Sequence, residues 1–411
     1  MDNLELLNIS ELLEKHFKEK IEIEKQHVKI LTGPGEHYGS IILKVDLNVK
    51  IEGIPRELKL VAKQIPVSEL LQKAFDVQVT FRKESFAYTV SLPTLLEFQK
   101  EFKVPSEDLL DMFPKCYGAR CNLDGNDGNV DRNAAILFEN LINVGYQTID
   151  RLVGFDLEGA KVVVTNLAKF HAVPLALKLL RPKVFAEKVM PGLVRHLGAE
   201  QLGEEVISVF HNSIMIAARK CDELSPYLSR LQKLVDYYAK HPYTNRPDPS
   251  EEYGTISHCD VWTSNIMVLK DSNGVVQKNK FLDLQLTNYS SALRDLIFFL
   301  FTSVQNNFVV QNLDELIKLY YDNFVHTLKY FDIDMSPYSW DNFNKELNKI
   351  APDEVYHVLL MFKIICSQRG KVTNTIDKFE ITDWTRKDLL GEEHTRKMRD
   401  TVLALVSRNW L

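Results

Sequence analysis

Alternating apolar and polar positions predict strands in the first third of the chain. Residues 33–51 fit a glycine-rich turn followed by a strand, and residues 57–66 fit a second strand that ends at a proline. Helical periodicity covers residues 3–19 and 68–101, the second with a break near Pro93. Two further strands are predicted at residues 112–121 and 134–141.

The pattern changes near residue 156, after which helical periodicity dominates. Helices are predicted over residues 157–180 and through most of 183–240, followed by a proline-rich loop at 241–254. A hairpin with its turn at 270–277 comes next, and the chain from 291 onward is mostly helical. The sequence therefore predicts an α+β fold with two lobes, the first small and strand-rich and the second larger and helical.

The composition is that of a globular protein with no excess of basic residues. The 411 residues are 45% hydrophobic and 26% charged, with a net charge of −6 and a pI near 6.0, which argues against general nucleic-acid binding. The N-terminus has no long apolar block, and the apolar run near residue 297 is too short to cross a bilayer. The five cysteines suggest reduced packing residues. We expect a cytoplasmic protein with no membrane or nucleic-acid partner.

One loop carries polar residues at a spacing typical of phosphoryl transfer. The stretch ISHCDVWTSNIMVLK places Asn265 five residues after Asp260, and Asp283 follows 18 residues later, beyond the hairpin. Kinases use this order for a base that accepts the acceptor's proton and for two oxygen ligands of Mg²⁺. The alternative is that Asp260 and Asn265 only cap a turn and that Asp283 bonds local backbone.

The N-terminal lobe offers groups for the nucleotide phosphates. Lys63 lies in the strand sequence VAK, and Glu84 follows 21 residues later on a predicted helix. A strand lysine paired with a helix glutamate holds phosphates in kinases. Either residue could instead be solvated, and Arg82 and Lys83 beside Glu84 favour a surface position. Gly33, Gly35 and Gly39 stand where a phosphate-covering loop belongs, although any hairpin could use such glycines.

Four motifs together resemble the ecdysteroid-kinase-like proteins, a group related to choline and aminoglycoside kinases. HCDVWTSNIM is similar to the family's H-G-D-x-W-x-x-N-x-M loop, with Trp262 as the distinguishing residue. The segments FLDLQLTNYSSALRDLIFFL, FRKESFAYTVSLP and ILFENLINVGYQ through LAKFHA resemble other family motifs, in family order. The resemblance covers roughly residues 30 to 370.

The resemblance implies a two-lobed protein-kinase-like fold, with an N-lobe at 1–138, a hinge at 139–145 and a C-lobe at 146–411. It implies ATP and Mg²⁺ as cofactors, and a small-molecule hydroxyl as acceptor, on an ecdysteroid-type steroid or a xenobiotic. By position, Asp260 is the catalytic base, and Asn265 and Asp283 hold Mg²⁺. The implied nucleotide contacts are Lys63, Glu84, Ser40, Glu139, Asn140 and Leu141.

The chain departs from the family pattern at three positions: Cys259 replaces a glycine, Leu284 replaces a phenylalanine, and Asn140 replaces an acidic hinge residue. A glycine before the base permits positive φ, which cysteine resists. The alternatives are an inactive nucleotide- or steroid-binding pseudokinase and a choline- or sugar-directed kinase. Structural roles are expected for other polar and aromatic residues near the loop, namely His258, His171, Asp295 and Trp262.

Overall fold

The computed structural model describes residues 6–31, 39–125, 129–196, 204–241, 248–367 and 391–411. The strands are β1 (Ile21–Ile30), β2 (Ile41–Ile51), β3 (Ile54–Gln64), β4 (Cys116–Arg120), β5 (Ala135–Glu139), β6 (Gln147–Thr148), β7 (Gly254–Ser257), β8 (Ile266–Lys270), β9 (Val276–Phe281) and β10 (Asn288–Ser291). The helices are α1 (Ile9–Phe17), α2 (Glu69–Ala74), α3 (Val77–Phe86), α4 (Leu92–Glu101), α5 (Leu157–Leu180), α6 (Pro182–Lys188), α7 (Glu204–Ala218), α8 (Leu228–Lys240), α9 (Ala292–Ser303), α10 (Asn306–Leu328), α11 (Trp340–Ile365) and α12 (Glu392–Ser407).

The N-terminal part is built on an antiparallel sheet in the order β1-β2-β3-β5-β4. Its strand β5 is apolar at successive positions because both of its faces are buried. Ala135 and Leu137 join a small core shared with α1, whereas Ile136 and Phe138 join the large core that includes α3 and α4. The sheet is therefore covered by helices on both sides.

The C-terminal part is helical around α5 and also contains two small sheets. In these sheets β10 pairs with β7, and β8 lies between β6 and β9. Helix α5 is long and apolar enough to cross a membrane, but 67% of its apolar window is buried inside the protein, as in a core helix. The hairpin β8–β9 joins the two segments that carry the candidate catalytic groups.

The α+β prediction with a strand-rich N-terminal part and a helical C-terminal part is confirmed. The predicted break near Pro93 is wrong. A π-helical turn, Ala87–Ser91, connects α3 to α4 without interruption, and Pro93 lies in the first turn of α4, where a proline costs little. The chain instead bends before α3, at Asp76, which has a φ of 47°.

Candidate active site

Three side chains from distant parts of the sequence meet between the two parts of the molecule. Lys63, on β3, is 4% exposed, and its ammonium bonds the carboxylate of Glu84 on α3. The same ammonium lies 2.8 Å from Oδ1 of Asp283, which follows β9. Leu284 N–H donates to Oε1 of Glu84 over 3.2 Å and ties the segment after Asp283 to α3. The interpretation of Glu84 and Lys63 as solvated residues is therefore wrong.

The electrostatics of this group keep Lys63 charged. Burial lowers the pKa of Lys63, but the carboxylates of Asp283 and Glu84 outweigh it and raise the pKa above its ordinary value. A charged ammonium fixed by two carboxylates is held in one position, which suits it to receive phosphate oxygens.

The loop between β7 and β8 brings Asp260 and Asn265 together. Asn265 Nδ2 donates to Oδ2 of Asp260 over 2.7 Å and to its carbonyl oxygen over 2.9 Å. The backbone of the loop turns tightly here, since Trp262 N–H donates to the Asp260 carbonyl and Asn265 N–H donates to the Trp262 carbonyl. The Asn265 carbonyl in turn accepts from Leu282 N–H at 2.9 Å, next to Asp283. The loop and the segment after β9 are thus directly joined.

The Asp260 carboxyl is held in an environment that disfavours its charge. Burial and the nearby carboxylate of Asp283 raise its pKa well above the ordinary value, while hydrogen bonds from Asn265 and Trp262 act in the opposite direction. A carboxyl with a raised pKa is a better proton acceptor, as a general base requires. The hydrogen bonds orient it.

Asp295, in the first turn of α9, holds the backbone of the loop between β7 and β8 in place. Its carboxylate is 1% exposed and accepts the backbone N–H of His258 at 2.5 Å and of Cys259 at 2.9 Å. His171 Nε2, from α5, lies 3.0 Å from Oδ2 of the same carboxylate. Burial raises the pKa of Asp295, but the hydrogen bond and charge of His171 outweigh this and lower it overall. The expected structural role of Asp295 is confirmed, in the form of bonds to the loop backbone.

Two buried histidines have structural roles, as predicted. His171 is fully buried and its Nδ1 lies 2.7 Å from the Tyr320 hydroxyl. His258 Nε2 lies 2.9 Å from the Leu282 carbonyl, which can only accept, so that nitrogen carries the proton. Burial lowers the pKa of His258, which is therefore neutral near pH 7. It connects the loop to the segment before Asp283.

Two residues beside the candidate chemistry have left-handed backbone conformations. Cys259 has a φ of 63°, at the position where a glycine is expected, and Asp283 has a φ of 65°. This region costs an L-residue about 1–2 kcal/mol relative to the right-handed one. The backbone thus adopts at Cys259 the conformation that a glycine permits, held there by the bond from its N–H to Asp295.

The three predicted hinge residues lie at the end of β5 and directly after it. Glu139 ends β5, and its Oε1 accepts from Lys115 N–H at 2.8 Å. Asn140 is 4% exposed, and its Oδ1 accepts from Ile142 N–H at 3.2 Å, so this side chain caps the turn that follows. Leu141 is 4% exposed and packs with Tyr146 and Met267. These side chains are engaged locally, and the backbone N–H groups of Glu139 and Asn140 donate to the carbonyls of Lys115 and Lys59.

Ser40 lies at the start of β2 and is 2% exposed. A Cβ added to Gly39 would meet Nε2 of Gln285 at 2.8 Å, so the glycine lets the chain pass close to the segment after Asp283. Gly33 and Gly35 lie outside the described residues. The start of β2 is therefore near the Lys63 and Asp283 pair.

The residues present fit a magnesium site only in part. Asn265 and Asp283 offer the amide and carboxylate oxygens that Mg²⁺ binds, on segments that the Leu282 hydrogen bond holds together. Among the described residues, no group of three or more His, Cys, Asp or Glu could hold a metal ion. Such a two-residue site needs phosphate oxygens and water to complete it.

The sequence prediction missed three features of this site. Trp262 packs against the large core as expected, but it also lies close enough to the Asp260 carboxyl to lower the pKa of that group. Ser303 Oγ, at the end of α9, accepts from Thr263 N–H at 3.0 Å and holds the far end of the loop. The sequence signal that could have identified Ser303 is the polar pair Thr302-Ser303, which follows the apolar run at residues 296–301. Lys83 is 2% exposed, so the expectation of a surface position is wrong.

Comparisons with known proteins give a family match and several similar solved structures. The profile of the ecdysteroid kinase-like family matches residues 34–333. No curated protein matches the sequence. Similar solved structures include an ethanolamine kinase from Plasmodium vivax (12% identity, TM-score 0.39, covering 94% of this chain and 84% of that one). Another is a choline kinase from Cryptosporidium parvum (11% identity, TM-score 0.42, covering 95% of this chain and 91% of that one). A third is an aminoglycoside 2′-phosphotransferase bound to GDP (12% identity, TM-score 0.43, covering 98% of this chain and 100% of that one).

Scores this low support no conclusion about substrate, so identity depends on the family match. That match covers most of the chain and includes Lys63, Glu84, Asp260, Asn265 and Asp283. It agrees with the kinase-like fold and the small-molecule kinase activity that the motifs predict. The chain belongs to the ecdysteroid kinase-like family.

Proposed function

We propose that this protein transfers the γ-phosphate of ATP, with Mg²⁺, to a hydroxyl of a small molecule. The lobes would comprise residues 1–138 and 146–411, joined by a hinge at 139–145. The observation that carries the proposal is the convergence of Lys63, Asp283 and the linked pair Asp260–Asn265 at one place between the two parts.

Each residue has a distinct proposed task. Lys63, positioned by Glu84, binds α- and β-phosphate oxygens. Asn265 and Asp283 provide oxygen ligands to Mg²⁺, which supplies charge neutralisation on the phosphates when bound. Asp260 accepts the proton of the acceptor hydroxyl, aided by its raised pKa. Catalysis then depends mainly on positioning and on charge stabilisation.

The remaining proposed contacts surround the nucleotide. Ser40 and Gly39 lie over the phosphates, because Gly39 brings this segment against Gln285. The backbone of Glu139, Asn140 and Leu141 lies beside the adenine, a placement that rests on family membership. We propose an ecdysteroid-type steroid or a xenobiotic as acceptor, a choice that rests on family membership.

The test combines an activity screen with an inactive variant. Purified protein is incubated with Mg-ATP and a mixed extract of steroids and plant phenolics, and mass spectrometry detects products heavier by one phosphoryl group. Asp260→Asn should reduce product formation by about 10²–10⁴-fold, the usual contribution of a positioned base, while nucleotide binding persists. The exposed Asp322→Asn is the matched control. Phosphorylation by Asp260→Asn at the wild-type rate would refute the base assignment.

A further inference from the structure

Lys83 lies one residue before Glu84 on α3, but its side chain points to a different environment. It is 2% exposed, and its Nζ lies 3.2 Å from Nδ1 of His196. Since an ammonium can only donate, His196 Nδ1 accepts this bond. Burial and the charge of Lys83 lower the pKa of His196 to about 3, so the imidazole is neutral near pH 7.

This leaves the buried ammonium without an anionic partner at hydrogen-bond distance in the described part of the chain. Two other buried lysines differ, since Lys169 bonds the Asp108 carboxylate and Lys280 bonds Asp111. For Lys83, burial lowers the pKa to about 8, while Cys259 and Asp76 raise it only through space. A buried cation with a neutral partner is costly, and a bound anion would remove that cost.

The location of Lys83 relates it to the proposed chemistry. Cys259, which lies close enough to Lys83 to influence its pKa, directly precedes the proposed base Asp260. The segment Met190–Leu193 packs against α3, with the carbonyl of Gly192 accepting from Thr287 Oγ1 at 3.5 Å. Lys83 on α3 is therefore close to both the base-carrying loop and the chain leading to His196.

We propose that Lys83, together with His196, binds an oxyanion of the reacting molecules beside the proposed base. This inference rests on the proposed function. The oxyanion is either a phosphoryl oxygen of the nucleotide or product, or an anionic group carried by the acceptor. The shared chemistry is a charge-assisted hydrogen bond from an ammonium to an anionic oxygen. His196, partly exposed at the end of its segment, supplies the second polar contact.

Calorimetric titration of inorganic phosphate near pH 8, in buffers of different ionisation enthalpy, tests the site without any acceptor. A bound anion favours the ammonium and raises its pKa, so wild-type protein should take up protons as phosphate binds. Lys83→Met should bind phosphate at least about tenfold more weakly and without proton uptake. Lys83→Arg should retain binding but lose the uptake, since arginine stays protonated. The exposed Lys100→Met, on α4, is the matched control.

The outcomes separate clearly. Wild-type affinity and proton uptake in Lys83→Met would overturn the proposal, as would the absence of phosphate binding by wild-type protein. Melting curves check that each variant folds, and Lys83→Arg keeps the test decisive if Lys83→Met does not fold. A non-hydrolysable Mg-nucleotide then identifies the source: competition with phosphate assigns the oxyanion to the nucleotide, and simultaneous binding assigns it to the acceptor. Because no transfer is measured, failure of the proposed function leaves these results standing.

Discussion

The Asp295→Asn substitution tests whether the loop is held by a buried carboxylate. Asp295 accepts two backbone N–H groups, from His258 and Cys259, and also faces His171 Nε2. Asparagine keeps the shape but offers one carbonyl oxygen and one NH₂ group. One N–H group that now donates to a carboxylate oxygen of Asp295 must therefore face the NH₂ group of the asparagine.

The magnitude follows from these contacts. An unsatisfied buried donor costs about 1–3 kcal/mol, and a hydrogen bond to a charged group contributes about 1.5–3 kcal/mol. We expect the free energy of unfolding to fall by about 2–4 kcal/mol. For 411 residues, an unfolding entropy of about 2.1 cal/mol/K per residue converts this to a Tm decrease of about 2–5 °C. Displacement of the Asp260 backbone should lower kcat by about 10–100-fold.

The assays are thermal unfolding and phosphotransfer, with the exposed Asp322→Asn as control, expected within about 0.5 kcal/mol of wild type. The pH dependence gives a second check. Because the folded pKa of Asp295 is lowered, its stabilisation is full above the unfolded value of about 3.9 and is lost as pH falls through the folded pKa. The stability difference should therefore shrink in acid. An Asp295→Asn variant as stable as the control at neutral pH would refute this reasoning.

Three other substitutions test the site. Asp260→Asn should raise the Tm of the nucleotide-free protein at pH 7–8, because a raised folded pKa gives stability that is lost as pH rises through it; no gain over wild type in melts from about pH 4 to 8 would contradict this. Cys259→Gly should be neutral to about 1 kcal/mol stabilising, with Cys259→Ala unchanged, because glycine accepts a φ of 63° without strain; a clear loss in urea unfolding would contradict it. Asp283→Asn should weaken Mg-nucleotide binding by about tenfold or more in equilibrium titrations, since it removes a charged ligand and the partner of Lys63; unchanged affinity would count against the metal assignment.

The sequence was most informative where one residue type and one spacing serve a single chemical task. The loop from His258 to Asn265 could be interpreted because a base, an amide and a turn must occur in that order. Strand β1 escaped prediction because its alternation is interrupted by a bulge between Ile23 and Lys25, and because much of it is exposed. Strand β10 was missed because its sequence, NYSS, is polar and is buried by pairing with β7.

Charged residues were harder to place than apolar ones. Glu84 and Lys83 are consecutive on a helix and were both compatible with a solvated face, yet both are buried, against different partners. Successive helical side chains point about 100° apart. The periodicity of α3 therefore cannot show that other parts of the fold bury the helix in both of these directions. Only the tertiary arrangement of β3, α3 and the segment Met190–Leu193 reveals this.

The contact between Lys63 and Asp283 has a consequence for the order of ligand binding. Without nucleotide, the ammonium of Lys63 neutralises the carboxylate of Asp283, the proposed metal ligand, so a free divalent ion must compete with this internal cation. Phosphate groups that draw Lys63 toward themselves release that carboxylate at the same moment as they bring additional oxygen ligands. The cation and the nucleotide should therefore associate as one unit, each strengthening the other's affinity.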